Sequence, residues 1–217
     1  MKTIVIIGAG PGLGYSVAQL FGSRGFKVSL IGRNEERLKD EVRSLQSENI
    51  TADYAIADAA NGKELSFALT SLGAKEDLPD VILYNAFSYV EKNLENESWD
   101  SIKNQLDVNV GGAFNLLKEV LPVARKTGKG KLFFTGGGFA IDPQPNFTGL
   151  SIGKAALKNL LGGTAKSVEE TDIHIASVVI CGTIGGEDPK YSPDRIAENY
   201  WDLYIQERAQ YQEEIIY

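Results

Sequence analysis

The sequence predicts an α/β fold built on a doubly wound parallel sheet. Short β-branched runs alternate with longer amphipathic segments along the 217 residues. The first, fourth and fifth runs are nearly all apolar, the pattern of strands covered on both faces. The first run also stops at glycines spaced G-x-x-x-G-x-G, directly ahead of a helix-compatible segment.

The elements follow in order. Strands are expected at Thr3–Ile7, Lys27–Ile31, Ala52–Ala57, Val81–Asn85, Lys131–Thr135 and Ile173–Ile180. Helices are expected between them, at Leu13–Arg24, Glu35–Ser47, Lys63–Leu72, Ser98–Lys126, Leu150–Ser167 and Pro193–Gln212. Gly25 suits the stop of the first helix, Asn34 the N-cap of the second and Ser98 that of the fourth. A short last strand, Glu214–Tyr217, completes the reading. The Gly/Pro-rich stretches Gly136–Gly149 and Gly182–Pro193 follow the fifth and sixth strands. They therefore lie at the carboxyl edge of the sheet, where ligands bind in such folds. Neither looks like a linker, so residues 1–217 are expected to form a single domain.

Composition narrows the function. A 43% hydrophobic and 24% charged chain fits a soluble globular protein. A formal net charge of −7 argues against nucleic acid or an anionic membrane as partner. The single cysteine, Cys181, rules out an internal disulfide and suits a reducing cytosol. Ile4–Ile7 is too short for a signal-peptide core or a membrane span, so a cytoplasmic location is expected. One Cys and one His cannot build a usual zinc site, and no metal is expected.

The glycine turn at Gly8, Gly12 and Gly14, with Leu13 opening the helix, has the makings of a pyrophosphate cradle. Glycine permits close backbone approach, and the helix N-terminus supplies unpaired N–H groups with a positive dipole end. The second strand ends Gly32-Arg33-Asn34, with no acid at its tip. An arginine there accommodates a ribose 2′-phosphate, so NADP(H) is favoured over NAD(H); Arg33 also fits a solvated loop charge before a helix. Asp58 and Asn85 close the third and fourth strands at the same edge. Asp58 could accept from the adenine amino group, and Asn85 could tie strand ends together beside the cofactor. Either also suits ordinary turn chemistry.

Taken together, these motifs resemble the short-chain dehydrogenase/reductase family, with its Rossmann-like dinucleotide-binding fold, over essentially the whole chain. The family's T-G-x-x-x-G-x-G motif appears as Ile7-Gly8-Ala-Gly-Pro-Gly12-Leu13-Gly14, and its N-N-A-G motif as Leu83-Tyr84-Asn85-Ala86-Phe87. The mid-helix asparagine matches Asn109, and the active-site lysine matches Lys154. The resemblance implies that Lys154 holds nicotinamide-ribose hydroxyls and that Asn109 binds a water leading to it. It also implies hydride transfer to a small substrate and a homodimer or homotetramer formed through the helices Ser98–Lys126 and Leu150–Ser167.

The departures concern the chemistry. Leu150 stands where the family has its catalytic tyrosine, and Gly137 where it has a serine. Cys181-Gly182 replaces the usual Pro-Gly after the sixth strand. Carbonyl reduction needs a proton at the developing alkoxide, help worth about 10²–10⁴-fold, and leucine has none to give. Candidate replacements are Tyr89, Tyr191 and a backbone nest at Gly136–Gly138, although three glycines also suit close backbone approach or a flexible turn; Thr148 and Ser151 flank Leu150 but do not share its helix face. Cys181 could line the pocket as a thiol, although cysteine burial favours a buried, inert role. His174 alternates with isoleucines and should face solvent or a helix. The sequence supports an NADP(H)-dependent oxidoreductase with a rearranged proton-delivery site, or a non-catalytic NADP(H)-binding sensor or complex subunit.

Overall fold

A computed structural model describes every residue of the chain except Glu76. Seven strands form one parallel sheet in the order β3-β2-β1-β4-β5-β6-β7. Their ranges are β1 Thr3–Ile7, β2 Lys27–Gly32, β3 Ala52–Ile56, β4 Val81–Tyr84, β5 Lys129–Gly137, β6 Asp172–Ile180 and β7 Glu214–Ile216. The order reverses beside β1, and β1 pairs in parallel with both β2 and β4. That reversal opens a crevice at the carboxyl ends of β1 and β4.

The helices cover both faces, so the expected α/β class is found: α1 Leu13–Ser23, α2 Glu35–Ser47, α3 Gly62–Ser71, α4 Trp99–Leu106, α5 Gly112–Thr127, α6 Thr148–Lys166 and α7 Pro193–Ile205. One buried apolar layer joins β1 to α1, α2 and α7 through residues such as Ile4, Phe21 and Leu203. The other joins the sheet to α3, α5 and α6 through residues such as Ile7, Leu65, Leu116 and Leu157. Nearly continuous apolar strands follow from this double coverage. Among the described residues, no helix is long and apolar enough to cross a membrane.

The expected caps form. Asn34 accepts from the Arg37 amide at 3.0 Å and Ser98 from the Ser101 amide at 3.2 Å. Gly25 follows α1 with φ +86°. The C-terminal aromatic run packs inward: Trp201 and Tyr204 meet the Phe21 ring edge-on at 5.3 and 5.8 Å.

Three expectations need correction. The helix expected over Ser98–Lys126 is broken by a π-turn at Asp107–Gly111, where the Gly112 amide donates to the Asp107 carbonyl. A larger residue at 112 could not keep this packing, because its Cβ would stand 2.0 Å from the Tyr84 hydroxyl. That hydroxyl donates to the Val108 carbonyl at 2.6 Å. The last helix ends at Ile205, not Gln212, because the chain turns to lay β7 along β6. Lys131 donates to the freed Gln206 carbonyl at 2.8 Å and also to that of Tyr204. The returning tail buries His174, whose Nε2 lies 2.9 Å from the Gln212 carbonyl and whose ring stacks on Tyr211. Burial pulls its pKa down to about 4.

Candidate functional site

A cleft of about 1680 Å³ runs along the carboxyl edge of the sheet, across the point where the strand order reverses. Its floor at one end is the glycine turn. The Gly8 amide donates to the Ile31 carbonyl at 2.9 Å, which holds the turn against β2. Gly8 has φ +86°, and a Cβ there would stand 2.3 Å from the Ala86 nitrogen. Only glycine fits, because β4 exits directly beneath it. Gly12 adopts φ +127°, and a Cβ at Gly14 would crowd the Gly8 carbonyl at 3.2 Å. Leu13 is buried and anchors the helix start in the core. Asn85 ties three strand ends together: its Nδ2 donates to the Gly8 carbonyl at 3.0 Å, and its Oδ1 accepts from the Thr135 hydroxyl at 2.7 Å.

Arg33 lies at the far end of this turn, its side chain 74% exposed and 4.0 Å from the Asp58 carboxylate. This loose pair leaves the guanidinium fork available to an incoming anion. Asp58 keeps its Oδ1 on the Ala60 amide at 3.0 Å, so turn chemistry and cleft position coincide. Arg37 also lines this end, with its guanidinium 3.9 Å from the Cβ position of Gly10. Sequence reasoning missed Arg37. Its signal was present, one helical turn beyond the Asn34 cap.

Lys154 and Leu150 lie one turn apart on α6, and both line the opposite end of the cleft. Lys154 is only 8% exposed, and its Nζ donates to the Thr135 carbonyl at 2.8 Å. That is its single hydrogen bond among the described residues. Burial without a carboxylate partner pulls the ammonium down to about 8. A Cβ at Gly137 would stand 3.3 Å from the Lys154 stem, so the glycine makes room for the lysine. Asn109 sits in the π-turn and closes a two-bond clamp on the loop after β4. Its Oδ1 accepts from the Ser88 amide at 2.9 Å, and its Nδ2 donates to the Ser88 carbonyl at 2.7 Å. The Asn109 amide is thereby committed to positioning that loop.

Several candidate replacements are not in place. The Gly136–Gly138 stretch makes no nest: β5 continues to Gly137 and pairs with Ile180, and none of the three glycines has a positive φ. The glycines instead admit Val179, Lys154 and Cys181 at close range. Tyr191 rests on Gly182, where a Cβ would stand 2.2 Å from its ring, and does not line the cleft. The Ser151 hydroxyl accepts from the Gln144 amide, and Thr148 also lies outside the cleft. Cys181 is exposed and lines the cleft, contrary to the buried role favoured. It lies just beyond β6, at the carboxyl edge of the sheet. Tyr89 does line the cleft, within an aromatic row. Phe87 and Tyr89 have nearly parallel rings 6.0 Å apart, Phe147 follows at 6.0 Å from Tyr89, and Phe139 lies 5.3 Å beyond. Phe87 and Tyr89 come from the connection after β4, Phe139 and Phe147 from that between β5 and α6, so local sequence pattern could not have grouped all four. Among the described residues, no group of His, Cys, Asp and Glu side chains could hold a metal.

This arrangement is an open α/β sheet with a glycine-floored crevice and a lysine-bearing helix beside it. The family model for short chain dehydrogenase matches residues 2–187, and the chain belongs to that family. The chain is 29% identical over 178 residues to a 3-dehydrosphinganine reductase, TSC10B, of Arabidopsis thaliana, covering 80% of this chain and 53% of that protein. It is 23% identical to an oxidoreductase of Staphylococcus saprophyticus, SSP0419, covering 82% and 76% of the two chains. It thus spans about half the length of the first relative. A short-chain dehydrogenase from Rhodopseudomonas palustris superposes with a TM-score of 0.89 at 23% identity, covering 100% of this chain and 97% of the other. An alcohol dehydrogenase from Thermococcus sibiricus, complexed with 5-hydroxy-NADP, gives 0.89 at 24% identity, covering 100% and 96%.

Proposed function

We propose that the protein is an NADP(H)-dependent oxidoreductase of the short-chain dehydrogenase type with an altered active site, acting on a small carbonyl or alcohol. The observation that carries this reading is the cleft's asymmetry, with a glycine turn and two arginines at one end and a buried lysine beneath an aromatic wall at the other. Gly8, Gly12, Leu13 and Gly14 would take the pyrophosphate, and Arg33 and Arg37 the 2′-phosphate. Asp58, Asn85 and Ala86 would flank the adenosine and nicotinamide halves, and Gly182 would border the nicotinamide. The space at Gly8 fits a dinucleotide turn, since its positive φ and the Ala86 backbone beneath it exclude any side chain. The bound dinucleotide would supply a hydride to a carbonyl carbon. Lys154 would donate hydrogen bonds to the nicotinamide-ribose hydroxyls, and Asn109 would hold the loop at Ser88 that borders the substrate.

The alcohol dehydrogenase complexed with 5-hydroxy-NADP and the relatives named as oxidoreductases support the reading by analogy. A cytoplasmic homodimer or homotetramer is part of the same proposal. A second reading, a non-catalytic NADP(H) sensor or complex subunit, is favoured by one observation. The proton-donor position is Leu150, and the position of the family's serine has been given up to the Lys154 stem. Titration of the protein with NADPH, then addition of aldehydes, ketones, enones and iminium ions, separates the two. Binding with cofactor oxidation supports the enzyme; binding with no oxidation across the panel supports the sensor.

A further inference from the structure

We propose that the aromatic row of Phe87, Tyr89, Phe147 and Phe139, with the carboxylates of Glu91 and Asp142 beside it, is a subsite for a planar organic cation. The electrophile taken there is an iminium in preference to a neutral carbonyl. The inference rests on the oxidoreductase reading and replaces its small carbonyl with an iminium.

The first support is the wall itself. The four rings line one end of the cleft, and aromatic faces attract cations within about 6 Å of a ring centroid. One cation already stands in that relation: the Lys154 ammonium is 5.9 Å from the Phe87 centroid. The second support is the charge around the wall. Lys92 bridges to Phe147, which sets its neighbour Glu91 beside the row. Asp142 follows Phe139 by three residues, and its Oδ2 accepts from the Gln144 side-chain Nε2 at 3.0 Å. Of the charged groups lining this end, two are carboxylates and one is Lys154, which is turned to the Thr135 carbonyl. A ligand on the row therefore meets net negative charge.

The third support is the missing acid. A neutral carbonyl that accepts hydride becomes an alkoxide and needs a proton at oxygen. Leu150 cannot give one, the Thr135 hydroxyl donates to Asn85, and no pocket hydroxyl or thiol is hydrogen-bonded to Lys154. An iminium already carries the positive charge that protonation would supply. When hydride from a reduced nicotinamide dinucleotide forms the new C–H bond, the C=N π pair moves to nitrogen, leaving a neutral amine and the oxidised dinucleotide. The balance closes with no proton delivered.

The test begins with binding. NADPH is titrated first; failure to bind would remove the oxidoreductase reading and this inference with it. N-methylquinolinium and its uncharged isostere 1-methylnaphthalene are then titrated against the protein, followed by ring-current shifts in NMR. The cation is expected to bind at least about tenfold tighter. In the Glu91→Gln, Asp142→Asn double variant, whose changes lie on exposed side chains, the cation should lose about fivefold while the neutral compound is unchanged. Equal binding of the two probes, or an unchanged cation affinity in the double variant, would overturn the inference and leave the NADP(H) reading standing. Turnover gives the second readout. N-methyl-3,4-dihydroisoquinolinium should be reduced faster than 1-tetralone, and faster reduction of the ketone would also overturn it.

Discussion

Replacing Lys154 with Met tests whether the buried ammonium is the strained element at the core of the site. The structure packs the stem of this amine against Gly137, with one carbonyl partner and no countercharge among the described residues. Burial therefore lowers its pKa from the ordinary lysine value of 10.5 to about 8. Below pH 8 both folded and unfolded chains carry the proton, and the folded chain bears the cost of burying the charge. Between pH 8 and 10.5 the unfolded chain holds more protons than the folded one, so stability rises with pH across that window. Above 10.5 the cost is gone. The shift corresponds to about 3 kcal/mol at 1.36 kcal/mol per unit, an order-of-magnitude figure. Methionine keeps the stem length and removes the titration. The assay is urea unfolding of wild type and Lys154→Met, without cofactor, at pH 7.5 and pH 10.5. Lys131, Tyr84 and Tyr200 titrate in both proteins, so their contributions cancel in the difference. Wild type should gain about 3 kcal/mol on the variant between the two pH values. A difference that stays constant would refute the argument that Lys154 is buried without compensation.

Three further outcomes are expected. Arg33→Ala with Arg37→Ala should weaken NADPH binding by about 10²–10⁴-fold and leave NADH nearly unchanged, measured by cofactor fluorescence, since charge-assisted hydrogen bonds contribute about 1.5–3 kcal/mol each. Leu150→Tyr should raise ketone reduction by about 10²–10⁴-fold in steady-state assays. Adding Gly137→Ser should reduce that gain, because its Cβ meets the Lys154 stem at 3.3 Å. Gly8→Ala should cost about 1–3 kcal/mol or more in denaturant unfolding and abolish cofactor binding, since φ +86° and the 2.3 Å approach to Ala86 both oppose a methyl group.

The parts of this molecule legible in sequence are those fixed by local pattern. The apolar runs of β1 and β4 and the Asn34 and Ser98 caps carry their own signatures. So does the glycine turn, because a strand that stops at Gly8 and a helix that starts at Leu13 leave little choice of geometry. Asn85 was legible as a strand-end tie, since its amide both donates and accepts. The π-turn was not. It exists because Tyr84, distant in sequence, presses its hydroxyl against Val108 and Gly112. The adjacent Gly111-Gly112 pair inside a helical run was the available clue. Cys181 is legible only as two alternatives, because average burial for cysteine points inward while its position just past β6 points to the cleft. The aromatic row escaped notice because its rings come from loops 50 or more residues apart in part, so only the fold assembles them. His174 was placed on the correct strand, but the tail that covers it was read as helix.

The most direct test of the account is calorimetric titration of the purified protein with NADPH and with NADH under one buffer. The cleft predicts that NADPH binds at least about tenfold more tightly, through the guanidinium groups of Arg33 and Arg37. Equal or tighter binding of NADH would contradict the assignment of those arginines. Binding of neither would contradict the cofactor cleft itself.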